Sequence, residues 1–456
     1  MKYCLSILSV LGVLLTHAQI NVSGLHNSES DLENSFYNAS MIGQEYRTMK
    51  ISLLPLYFHI GNNFTSAADI YDYYRDLDKG LDANSMSSIN RIMKGLKNKN
   101  QIYAGLDLTL VNIGFNLKVK KKKFLELNFA AREHLQAGMV FNKELLYLMY
   151  KGNAYYEDQT IDILPKVNVL QCGDFSVAAA KEFSLKLPFL KNLLSVKPGI
   201  RLRYLVGTAN LNMQNSSLSI YTAPEGRYIE ATLNGDVKAC GFDPDQYKSV
   251  DGALFKGNGQ GFGVDLGVTV KMLDKLEVGL ALFDNGSITF KDNAYQITSN
   301  ETVRWEGYDF NQPIDTLFEQ SDLLELDSAK TSYAVPIGSK LMLSGRYGLG
   351  KEKKIGKSQS YYAHTISFLY IQGFRNYLNT TTSPLVSLGY SYQYRHAFNF
   401  GINAGVGGLT RSFLGAHMHL GLGPVKFGFA TNSLGAIVNR YASKGMDLQI
   451  YTALSF

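Results

Sequence analysis

The chain has 456 residues, 45% hydrophobic, 12% aromatic and only 18% charged, with 42 glycines, 29 tyrosines, 25 phenylalanines and 10 prolines. A formal net charge of +6 is too mild to point to nucleic acid, and 3 cysteines are too few for a metal cage. This balance suits many glycine-relieved, aromatic-rich strands joined by turns.

Met1 and Lys2 give a short positive start, Leu5 to Leu15 is an apolar run, and Thr16-His17-Ala18 offers a small-residue cleavage site before Gln19. Residues 1–18 therefore read as a removed signal peptide, the run falling far below the roughly 20 apolar residues a spanning anchor needs. Cys4 precedes the apolar core, which argues against a lipoprotein cleavage site. Loss of Lys2 lowers the charge from +6 to +5 and leaves Cys172 and Cys240, which could pair in an oxidising compartment. No later stretch is apolar and long enough to cross a bilayer as a helix, so a membrane reading has to be a barrel.

From about residue 51 onward, period two dominates. Strands are expected at about 51–60, 102–118, 124–140 and 168–186. In the second of these the apolar parity runs through Ile102, Ala104, Leu106, Leu108 and Leu110, then switches to Val111, Ile113, Phe115 and Leu117. A bulge near Leu110-Val111 would keep apolar residues outward on both halves and bend the strand; a sealed bulge that only adjusts twist is the plainer consequence, and a side opening the sharper one. From Leu194 to Val206 the even positions are apolar or Pro, while Arg201 and Arg203 share the odd face. Phe262 to Val270 repeats this with Asp265 opposed, and Leu276 to Leu282 does so with Glu277 opposed. Arg201, Arg203, Asp265, Glu277 and Asp284 are thus expected in a wet lumen, since Arg on the lipid side costs roughly 2–4 kcal/mol at bilayer depth.

Further strands are expected at about 337–349, 361–374, 384–394, 398–408, 411–422 and 424–432. The last runs from Met446 to Phe456, with Met446, Leu448, Ile450, Thr452, Leu454 and Phe456 on one face. A terminal strand ending on an aromatic resembles the signal read by the barrel-insertion machinery, so Phe456 is expected to serve assembly. The total is about fourteen strands, an even number as single-chain bacterial barrels favour. Connections alternate: short turns such as 120–123, 273–275 and 423–424, and long stretches at about 61–101, 141–166, 213–260 and 291–336. That sorting fits periplasmic turns and external loops. Ile70, Tyr73, Tyr74 and Leu77, then Ile89, Ile92, Met93 and Leu96, recur at helical spacing in the first long loop, and Glu144 to Tyr150 could form another helix.

Chemistry-bearing patterns are sparse. His417 and His419 share one strand face, but no carboxylate or third His joins them, so lumen polarity is preferred to a metal site. Gly257 to Gly261 precedes a strand where a phosphate loop would need a helix, and Asp243, Asp245 and Asp251 lack calcium-loop spacing. No catalytic constellation, metal or cofactor is expected. Lys118 and Lys120 to Lys123 form a charge run at a turn, suited either to lipid headgroups or to plain solvation.

The chain resembles the FadL-like branch of outer-membrane proteins, and more narrowly an uncharacterised Bacteroidetes family within it. The likeness rests on Asn38-Ala39-Ser40 with Tyr46-Arg47, on Gly61-Asn62-Asn63, on Gly261 to Gly267 and on Phe283 to Ile288. It implies an all-β, transmembrane antiparallel β-barrel of about 14 strands at 51–456, with an N-terminal plug segment at 19–50 and short helices in external loops. The expected location is the bacterial outer membrane, with outer-membrane lipids and the insertion machinery as partners. Transport or binding of small, hydrophobic molecules is the implied function. The alternative is a non-transport barrel that meets a secretion-machine protein in export or surface assembly.

Overall fold

The computed structural model describes residues 22–456 except 28–30, 43–47, 79–82, 121, 186–193, 242–256, 273–274, 307–326, 356–358, 379, 396, 410, 436–438, 440 and 442–443. The signal peptide, the lysine at 121 and the aspartates at 243, 245 and 251 lie outside the described residues.

Fourteen antiparallel strands close into a ring. In chain order they are β1 Met49–Asn62, β2 Lys99–Val119, β3 Lys122–Asn142, β4 Lys166–Ala180, β5 Leu194–Asn212, β6 Gly259–Met272 and β7 Leu276–Phe283. The second half comprises β8 Lys340–Ile355, β9 Gln359–Gly373, β10 Leu385–Tyr394, β11 Phe398–Gly407, β12 Arg411–Leu422, β13 Val425–Thr431 and β14 Gly445–Ser455. Each pairs with its neighbours in sequence, and β14 returns to β1 from Lys50↔Ser455 to Gly61↔Gly445. At the seam Phe456 donates its N–H to Met49 O at 2.9 Å and accepts from Thr48 N at 2.8 Å. Closure leaves the ring without an unpaired edge.

Alternation decides which side chains face outward. On β5, Ile200, Leu202 and Tyr204 are 43%, 57% and 37% exposed, whereas Arg201 and Arg203 between them are 0% and 4%. Phe262, Val264 and Leu266 on β6, Leu388 and Tyr390 on β10, Phe400 and Ile402 on β11 and Ile450 on β14 continue an exposed apolar belt around the ring. A register slip of one residue would exchange these faces.

One end of the ring carries tight turns, such as Lys120 between β2 and β3 with φ 49° and Gly423 between β12 and β13 with φ 62°. The other end carries the long connections. Helix α3 (Ala67–Asp78) is capped by Ser66, whose hydroxyl accepts from the Asp69 N–H and donates to the Asp69 carboxylate. Arg91 of α4 (Ala83–Gly95) pairs with Asp69 and Asp72. Ile70, Ile92 and Leu96 pack on Phe64, Ile102 and Phe141 at the rim, beside helix α5 (Lys143–Lys151).

The long connections also build an external sheet that the parity count missed. It joins residues 160–162, 217–222, 229–240, 294–305 and 327–330. Leu218, Ile220, Leu233, Val237, Ile297 and Val303 share one face of it through those registers. Gly259 to Gly261, expected to precede the strand, are part of β6, and their backbone packs against Ile288 and Phe290 of the strand at 286–290. Cys172 and Cys240 are both buried and free, so the pairing left open by the sequence does not form.

The described residues ahead of β1 form two short helices, α1 (Val22–His26) and α2 (Asp31–Asn34), and a 3-10 turn at Ala39–Met41, nearly all buried. Their contacts reach strands around the whole circumference. Ser23 bonds Asn403 on β11, Thr431 on β13 and Asn432. His26 bonds Ser367 on β9 and Ser387 on β10, and burial holds its imidazole pKa well below the ordinary value. Leu32 O accepts from Asn112 on β2, Ser35 accepts from Arg201 on β5, and Ser40 bonds Thr269 on β6.

Candidate functional site

Two features of the ring are built for more than closure. The first is a buried network of charges on the inner faces of β2 to β8. Arg203 lies 2.9 Å from Asp174, 2.8 Å from Asp284 and 3.6 Å from Asp265. Lys340 completes Asp284 at 2.9 Å, and Arg132 completes Asp174 at 2.9 Å. His134 bridges Asp107 at 2.5 Å and Asp174 at 3.6 Å. Arg201 donates to Ser176, Asn128 and Ser35, and the Phe36 ring lies within cation–π distance of the guanidinium groups of Arg132 at 3.7 Å and Arg201 at 4.7 Å. Charges this deeply buried persist only because each has partners.

Of the residues singled out by parity, Arg201, Arg203, Asp265 and Asp284 meet in or beside this network. Asp284 has φ 54° and marks the break between β7 and the strand at 286–290, which turns its carboxylate toward Arg203 and Lys340. Glu277 lies apart, 3.5 Å from Lys271, in the lining of a small cavity shared with His26 and Arg346. His417 bonds Asn399 and Ser391, and His419 bonds Tyr451. Among the described residues no group of three or more His, Cys, Asp or Glu could hold a metal ion. Arg132, Asp174, Asp107 and His134 were missed, although each stands opposite to exposed neighbours such as Phe129, Leu135 and Phe175.

The turn at Asn38–Met41 docks on glycines. Asn38 Oδ1 accepts from Ser40 N and Oγ. A Cβ on Gly199 would overlap Ala39 O, one on Gly267 would overlap Asn38 Oδ1, and one on Gly279 would lie 3.1 Å from Asn38 Nδ2. Short sequence motifs far apart in the chain are thus one contact in space.

The second feature is an interruption in the wall. Between β1 and β14 the register shifts from Leu53↔Thr452 to Leu56↔Ile450, so β1 carries one extra residue. Between β2 and β3 it shifts from Thr109↔Arg132 to Val111↔Ala131, so β2 does too. The two strands pair at Leu53↔Val111 and Leu56↔Leu108, but not at the two residues between. Leu54 adopts φ 52° and is 64% exposed, and Pro55 has no N–H to donate. Both extra residues, Leu54 and Leu110, are leucines, and they face each other across the unpaired stretch. The inner side is covered by α2: Asn112 donates to Leu32 O at 3.0 Å, and Leu32 lies over Gly114.

Known proteins add the following. Solved structures with a similar trace include the Ralstonia pickettii toluene transporter TbuX (9% identity, 94% of each chain covered, TM-score 0.43). The monoaromatic hydrocarbon channel CymD (11% identity, 96% of this chain and 94% of that one, TM-score 0.40) is another. So is the P. putida toluene transporter TodX (8%, 97% and 95%, TM-score 0.38). Agreement this loose carries no argument about what the present chain does. No curated protein matches it. The model of a family of unknown function, DUF5723, matches residues 44–432, most of the chain, and the chain belongs to that family.

Proposed function

We propose that the protein is a bacterial outer-membrane channel of the FadL-like kind, which binds small hydrophobic molecules and passes them sideways into the bilayer. In this reading residues 22–42 act as the plug and the stretch at Leu54 and Leu110 is the lateral opening. The observation that carries it is the coincidence of two bulges at one height in adjacent strands. A single bulge adjusts twist, but a matched pair removes ladder bonds between the two strands while leaving their outer neighbours in place. The membrane setting is supported by the apolar belt, since a soluble surface rarely exposes contiguous apolar patches beyond a few hundred Å². Lipid accepts that belt, and away from the interruption a closed ring pairs the strand backbone at its depth. Phe456, bonded across the seam, is read as the assembly signal.

A second reading, a scaffold in protein secretion or surface assembly, is favoured by the external sheet with its apolar face. Purification from native outer membranes separates the two: a stoichiometric protein partner supports the scaffold, and a co-purifying apolar small molecule supports the channel. The direct test of the channel is equilibration of a small hydrophobic dye across vesicles of outer-membrane lipid. Faster equilibration with the folded protein than with heat-unfolded protein supports the reading, and equal rates contradict it.

A further inference from the structure

Beside the interruption the outer wall carries a carboxylate. On β3, Arg132 bonds Asp174 and His134 bonds Asp107, both on the inner face, so Glu133 between them points outward by alternation. Its cross-strand partners are Leu108 on β2 and Gly173 on β4, and Leu135 on the same face is 40% exposed. Leu108 is one ladder step from Thr109, where the β2–β3 register shifts. Gln171, also outward, donates to Glu133 Oε1 at 3.0 Å. Among the described residues no Lys or Arg forms an ion pair with Glu133, and Arg132, its chain neighbour, points away toward Asp174 and Phe36.

A carboxylate on the lipid-facing parity is costly, and one without a cation close by is a poor structural choice. Glu133 is only 7% exposed and Gly173 opposite it is buried, so the carboxylate lies sheltered in the wall with Gln171 as its hydrogen-bond donor. Resting on the lateral passage proposed above, we infer that Glu133 and Gln171 form a headgroup site at its outer mouth. The molecules it takes carry a cationic or hydrogen-bond-donating head, an amine or alcohol, on an apolar body. A carboxylate head is disfavoured, because Glu133 outside and Asp107 inside would both repel it.

The test uses the full-length protein in nanodiscs, with a bound hydrophobic dye displaced by dodecylamine, dodecanol or dodecanoate and protein-free nanodiscs as the partition control. Dodecylamine should displace the dye at about tenfold lower concentration than dodecanoate, the size of one charge-assisted hydrogen bond. Glu133→Gln should bring the two within about twofold, and Glu133→Asp should keep part of the preference. Both variants must show the heat-modifiable mobility of the folded barrel, as expected for outward substitutions. An unchanged preference in Glu133→Gln, or a preference for dodecanoate, would overturn the headgroup inference and leave the passage standing. Failure of every probe to displace dye from any variant would overturn the passage as well.

Discussion

Replacing Arg203 with Met removes the guanidinium that joins three carboxylates while keeping most of the side-chain volume. Asp174 would retain Arg132 at 2.9 Å and Asp284 would retain Lys340 at 2.9 Å. Asp265, 1% exposed, would keep only the N–H of Asn285 at 3.3 Å. The loss is therefore that of one buried pair broken on one side, about 3–5 kcal/mol, or roughly two to four powers of ten in the folding equilibrium. Adding Asp265→Asn to Arg203→Met removes the stranded charge and should restore more than about 1 kcal/mol. Urea unfolding in micelles, followed by far-ultraviolet circular dichroism and gel mobility, measures both. A single variant within about 0.5 kcal/mol of the parent, or a double variant no more stable than the single, would refute the network as described.

Other consequences are as direct. Deleting Phe456 removes the seam bonds to Thr48 and Met49 and should lower the yield of heat-modifiable barrel in membranes; an unchanged yield would count against its assembly role. Gly267→Ala drives a Cβ into Asn38, so the residues ahead of β1 should become protease-sensitive while the ring stays folded, and equal sensitivity would contradict that docking. Burial raises the pKa of Glu33 above the ordinary value, opposed by hydrogen bonds from Ser52 and Asn112 and by Arg132. The docked segment thus favours neutral Glu33: docking is strongest below the ordinary glutamate pKa and weakens as pH rises through the raised value. Proteolysis of the segment should accelerate over that range and lose its slope in Glu33→Gln; the opposite slope would refute the assignment.

Strand parity was legible because it needs only residue type: the alternation at Leu194–Val206 and Phe262–Val270 is enough to place Arg201, Arg203 and Asp265 on one face. The parity switch after Leu110 marked the register shift in β2 for the same reason. Its partner in β1 was not legible, since Leu53-Leu54-Pro55-Leu56 is apolar throughout and gives no polar residue against which to count. Asp174 escaped because one charge mid-strand looks like noise until its cross-strand neighbour is known, and Arg132 because Glu133 and His134 follow it, so three consecutive polar residues break the alternation. The external sheet escaped for another reason. Residues 229–240 alternate Ile229, Ala231, Leu233, Val237 and Ala239 with polar residues, but small and polar side chains at such density read equally as loop. Asn38-Ala39-Ser40 and the glycines at 199, 267 and 279 were visible as motifs, yet their contact depends on tertiary closure of the ring.

The claim that the wall opens at the paired bulges is tested most directly by removing them. Because Leu54 and Leu110 are each one extra outward residue, deleting both restores the ladders β14–β1–β2–β3 without changing which residues face inward on either side. The double deletion should insert, show normal heat-modifiable mobility and resist urea at least as well as the parent. In vesicles of outer-membrane lipid it should lose the acceleration of hydrophobic-dye equilibration that the parent provides. A folded double-deletion barrel that equilibrates the dye as fast as the parent would contradict the lateral passage.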